Sequence, residues 1–161
     1  MTAKLNVRAA VWAGVIAGAV FMMLEMGLVA TVGGDSPWAP PRMIAAMVLG
    51  PGVLPPPATF DIGILMVTMM IHFALSIVYG VLLGWLISRR QFGLAAAGGA
   101  GLAFGLAIYF VNFYGFTAIW PWFAMARNGI SIFAHAMFGL VLGASYRKIA
   151  TNHPIAPSGG E

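Results

Sequence analysis

Four long apolar stretches dictate what this chain can fold into, running near Ala9 to Thr31, Ile62 to Ile87, Leu94 to Phe116 and Asn128 to Tyr146. Each is long enough to cross a hydrocarbon core of about 30 Å, which takes roughly 20 helical residues. The composition agrees: with 61% hydrophobic and 7% charged residues among 161, the chain has more apolar surface than a soluble domain could hide. The expected fold is an all-α membrane protein with a single four-helix transmembrane domain over residues 1–150. Residues 151–161, which include Pro154, Pro157 and Gly159-Gly160, are expected to be a disordered cytoplasmic tail.

The charges sort by loop. Lys4 and Arg8 precede the first span, Arg89 and Arg90 separate the second from the third, and Arg147 and Lys148 follow the fourth. Only Arg42 and Arg127 fall in the other two loops, and this asymmetry places both termini in the cytoplasm. The net charge of +4 therefore reads as a topology signal; no basic patch points to nucleic acid. The basic start resembles a signal peptide, but the apolar run after it is too long for one and carries Glu25. The chain has no cysteine, so disulfides and thiolate metal sites drop out.

The first outer loop, Val32 to Asp61, is dense in proline and glycine. Between Pro41 and Gly50, residues 42–49 predict a short helix at the outer interface, with proline at its start and glycine at its end. The second outer loop carries Trp120-Pro121-Trp122-Phe123, read with Trp38 as an interfacial aromatic belt.

Within the spans, one pattern occurs twice. His72, Ser76, Gly80 and Gly84 recur every fourth position, and so do Ser131, His135, Gly139 and Gly143, with histidine and serine exchanged. On a helix such rungs drift only about 40° per step, so each ladder forms one small and polar face. Gly14, Gly18 and Glu25 match Gly101, Gly105 and Asn112 at one constant offset. The four helices are thus expected to be two parallel repeated helical hairpins, packed through these glycines.

Each span contributes a polar residue to that interior: Glu25, His72, Asn112 and His135, extended by Ser76 and Ser131. Counting residues from the basic ends puts Glu25 and His72 at one height, about 25 Å above the inner boundary, where their side chains could meet. Three chemistries fit such a thread. It serves as interhelical hydrogen-bonding glue, as a proton relay or ion site, since intramembrane carboxyls are costly, or as a haem site, with His72 and His135 as axial ligands in the manner of b-type cytochromes. No phosphate-cradling loop or nucleophile triad is present, and Met22, Met23, Met66, Met69 and Met70 read as pliable packing.

The run His72-x-x-x-Ser76-Ile77-Val78-Tyr79, with Pro121-Trp122-Phe123, Asn128, Ile132-Phe133-x-His135 and Pro40-Pro41-Arg42, resembles the YagU-type bacterial inner-membrane proteins. That resemblance implies a location in the bacterial inner membrane and a loose link to stress tolerance. It assigns no reaction. The functional expectation is a non-enzymatic, multi-pass membrane protein without a cofactor, handling protons or ions or supporting membrane homeostasis. The alternatives are an accessory subunit of a larger membrane complex or homo-oligomer, and a small haem b electron carrier.

Overall fold

A computed structural model describes residues 4–153. Among these, every regular element is helical: α1 (Val7–Thr31), α2 (Ala39–Leu49), α3 (Ile62–Arg90), α4 (Leu94–Phe110) and α5 (Gly129–Asn152). α4 continues through a π-helical turn, Val111–Gly115, and a 3-10 turn, Phe116–Ala118; a further 3-10 segment, Pro121–Ala126, leads towards α5. Four helices, counting the extension of α4 to Ala118, are long and apolar enough to cross a membrane.

Three of the long helices begin at a side-chain cap that satisfies an amide left over by the helix geometry. Asn6 accepts from the Ala9 amide at 3.0 Å, Asp61 from Ile64 at 2.9 Å and Asn128 from Ser131 at 3.0 Å. α3 ends where Gln91 adopts a left-handed conformation, φ 51°, that turns the chain into α4 within three residues.

α1 lies against both α3 and α5, and α5 against α4, whereas α3 and α4 barely touch. Glycine makes the close approaches. A Cβ on Gly14 would stand 2.6 Å from the Ser76 carbonyl oxygen, and one on Gly80 would overlap the Ala10 carbonyl. Between α4 and α5, Gly101 faces the Gly139 carbonyl, Gly105 that of His135, and Gly143 that of Ala97. Backbones this close exclude any side chain, so in this half of the bundle the helices meet without a gap. Gly84 instead receives the Tyr146 ring, and Gly18 the Ser76 and His72 side chains.

The termini of the bundle meet at the glycine-rich end. The Tyr146 hydroxyl bonds the Ser88 hydroxyl at 2.5 Å and accepts from the Asn6 amide at 3.2 Å, while Asn6 Nδ2 donates to the His153 carbonyl at 2.8 Å. α5 therefore runs past the expected end at Tyr146, because Ile149 and Ala150 still pack on the core. Thr151 and Asn152, expected in a disordered tail, are the last residues of that helix; the rest of the tail, residues 154–161, lies outside the described residues. The spans also start two residues earlier in α1 and extend to Arg90 in α3.

α2 begins at Ala39, earlier than expected, because Pro40 and Pro41 are tolerated in a first turn, where no amide partner is needed. It is pinned to the bundle. Thr68 donates to the Pro41 carbonyl at 2.6 Å, and Trp122 Nε1 to the Met43 carbonyl at 3.0 Å. Arg42 ties the following loop back by donating to the carbonyls of Val53 at 2.8 Å and Thr59 at 3.0 Å.

Candidate functional site

The carboxyl of Glu25 is 6% exposed and one of its oxygens is served: Ser131 Oγ donates to Oε1 at 2.6 Å. Ser131 occupies the first turn of α5, next to the cap formed by Asn128, so the acid sits near the positive end of a helix dipole. The other oxygen, Oε2, is buried without a hydrogen-bond partner among the described residues. Glu25 and Ser131 form part of the wall of a cavity of about 350 Å³, together with Asp35, Arg42 and Asn128. α1, α2 and the start of α5 enclose this space at the end of the bundle opposite the chain termini.

One turn along α5, His135 Nδ1 lies 2.7 Å from the Ser131 carbonyl oxygen. A carbonyl only accepts, so Nδ1 carries the proton and Nε2 offers a lone pair. Asn112 Nδ2 approaches that lone pair at 3.4 Å. Asn112 belongs to the π-helical turn at the end of α4, a local widening that changes the direction of the side chain relative to a regular helix. Glu25, Ser131, His135 and Asn112 thus form one connected string along α5, passing through the Ser131 backbone.

His72 belongs to a different neighbourhood. Its Nε2 donates to the Gly18 carbonyl at 2.9 Å, which leaves Nδ1 as an acceptor. Glu25 and His72, expected at one height, do not pair. The glycine contacts set Gly80 beside Ala10 and Gly14, so the last turns of α3 reach beyond the start of α1, and equal counts from the basic ends are not equal heights. His72, Ser76, Asn112 and His135 line a second cavity of about 220 Å³.

Phe21, Ile44, Phe113 and Phe123 line both cavities. Phe21 stacks on His72 with centroids 5.5 Å apart and meets His135 edge-on at 4.8 Å. The two imidazoles therefore share a phenyl ring as neighbour. To ligate one haem iron, Phe21 would have to leave and His135 Nε2 would have to release Asn112. Among the described residues no three His, Cys, Asp or Glu side chains converge as a metal-binding group.

Three structural roles were not apparent from sequence. Phe21 reads as one apolar residue among many, and nothing around it in the sequence marks it as the neighbour of both imidazoles. Arg127 reads as a loop charge, yet its Nε donates to the Phe113 carbonyl at 2.7 Å, its Nη2 to Thr117 Oγ1 at 3.1 Å, and its guanidinium stands 4.4 Å from the Tyr114 ring. It holds the turn that presents Asn112. The Tyr146–Ser88–Asn6 knot did have a signal, since Tyr146 falls on the same α5 face as Gly139 and Gly143.

Comparisons with known protein families, with curated proteins and with solved structures return no match to this chain.

Proposed function

We propose that this is a non-enzymatic, multi-pass protein of the bacterial inner membrane, termini cytoplasmic, that takes up a proton or monovalent cation from the outer side at Glu25. The observation that carries this reading is Glu25 Oε2, a buried carboxyl oxygen with no hydrogen-bond partner among the described residues, in a residue that walls the larger cavity. A buried polar group left unpaired costs about 1–3 kcal/mol, and more when charged. A proton on that oxygen removes the charge, and a small cation beside it supplies a partner. Ser131 and the α5 amino terminus hold the opposite oxygen and fix the orientation of the acid.

The other half of the bundle supports a one-sided site. There the glycine contacts bring the backbones of α1 and α3, and of α4 and α5, together. We read this as a binding site that loads from one side, unlike a continuous pore. The matched residues of α1 with α4, and of α3 with α5, are read as a duplicated hairpin. Its two copies differ in register: Gly14 abuts the Ser76 carbonyl, while the matching Gly101 abuts the Gly139 carbonyl, one turn further on. Membership of the YagU-type proteins, with their link to stress tolerance, is part of this proposal and rests on the motifs alone.

The test is flux. Proteoliposomes of the purified protein should show a pH- or cation-driven internal pH change that Glu25→Gln abolishes. Equal flux in wild type and variant would remove Glu25 from the function. Recovery of a stoichiometric protein partner on gentle extraction, with no flux, would favour an accessory subunit.

A further inference from the structure

The second cavity has a use that proton binding at Glu25 does not require. We propose that the space lined by His72, Ser76, Asn112 and His135 binds the ring headgroup of a membrane-dissolved isoprenoid quinone or quinol, entering sideways from the bilayer.

Size comes first. An apolar cavity of about 150 Å³ is enough to hold benzene. The cavity here measures about 220 Å³, which admits one substituted six-membered ring.

Access comes second. α3 and α4 barely touch, and the cavity wall includes Leu75 of α3, 39% exposed, and Phe116 beyond α4, 37% exposed. Both face where acyl chains would lie around a spanning bundle. α2 and the Pro121–Ala126 segment cover the space from above, through Ile44, Met47 and Phe123. A ligand reaching this mouth must therefore already be dissolved in the membrane.

The lining supplies the chemistry. Phe21, Tyr79, Phe113, Trp120 and Phe138 offer ring faces and edges, the contacts that a planar π-system makes best. Among them stand complementary polar atoms. His72 Nδ1 is a lone-pair acceptor, because Nε2 is committed to Gly18. The Asn112 amide has a second N–H beyond the one directed at His135. A quinol hydroxyl donates to the first, and a quinone carbonyl accepts from the second. A few convergent polar groups in an aromatic pocket are the usual make-up of a small-molecule site, and an acyl chain would leave both unused.

The protein in lipid nanodiscs, exposed to a photoreactive azidobenzoquinone with an isoprenoid tail, tests this. Labelling is expected to saturate, to fall within residues 72–79 and 112–120, and to be displaced by excess unreactive quinone. Leu75→Trp, which fills the mouth from a position with room at the surface, should lower saturable labelling by about tenfold. Asn112→Leu should lower it severalfold, giving a second variant should the first perturb the fold. Glu25→Gln should leave it unchanged, so loss of the cation site and loss of this one are distinguishable. Labelling that stays linear with dose, falls equally on exposed Met70 and Phe110, or ignores both cavity variants would overturn the assignment. So would capture of a photoreactive phospholipid tail at the same residues that excess quinone fails to displace.

Discussion

Ser131 Oγ stands 2.6 Å from Glu25 Oε1, joining the first turn of α5 to a residue six positions before the end of α1. The contact spans most of the chain and leaves the second carboxyl oxygen without a hydrogen-bond partner among the described residues. One oxygen held by Ser131 and the other buried, in a residue that walls a cavity, is an arrangement suited to a site that is loaded and unloaded.

Replacing Ser131 by alanine removes the hydroxyl that donates to Glu25 Oε1. Hydrogen bonds between membrane helices contribute about 0.6 kcal/mol on average and up to about 1.7. Ser131→Ala should therefore reduce unfolding free energy by about 1 kcal/mol in a mixed-micelle titration, with the larger effect on flux. Ser131→Thr retains the hydroxyl and should recover most of that flux.

The glycine seams predict a sharp contrast. A methyl group at Gly101 or Gly139 meets the carbonyl of the facing helix, whereas one at Gly27 or Gly99 meets nothing within 4 Å. Gly101→Ala and Gly139→Ala should each cost at least the 1–3 kcal/mol typical of overpacking. Gly99→Ala should be neutral or stabilise by about 0.5–1 kcal/mol, through helix propensity. Thermal unfolding in detergent orders these variants.

Arg127 should not be replaceable by lysine. The guanidinium bonds Phe113 and Thr117 through different nitrogens while stacking over Tyr114, and an ammonium cannot match that fork. Arg127→Lys is expected to lose about 1–2 kcal/mol and to speed hydrogen exchange in the Val111–Gly115 turn. Unchanged exchange there would mean that the turn holds itself.

At the opposite end, Tyr146→Phe removes the hydroxyl shared by Ser88 and the Asn6 amide. A buried pair losing one member costs about 1–3 kcal/mol. The loss should appear as faster exchange at Asn6 with no change in flux, since the knot lies far from Glu25.

The number of helices long and apolar enough to cross a membrane was legible because hydrocarbon thickness leaves little choice of element. The start of α5 was legible too, since Asn128 is a strong capping residue just before an apolar run. The pairing inside the bundle was less so. His72 was matched with Glu25 by counting from basic ends, but the seam geometry around Gly14 and Gly80, a product of two helix surfaces, slides α3 along α1 and delivers His72 to Gly18. Asn112 was placed on a regular helix, and the π-turn that aims it at His135 depends on Arg127, a residue from a loop. Periodicity within one segment cannot register such contacts between segments.

The most direct measurement of the Glu25 site is the infrared difference spectrum of the protein in proteoliposomes, recorded as the outer pH or cation concentration is stepped. A carboxyl carbonyl band should rise and fall with the outer solution, be insensitive to the inner one, and be absent from Glu25→Gln. A band that is unchanged by the outer step, or that persists in Glu25→Gln, would contradict the account.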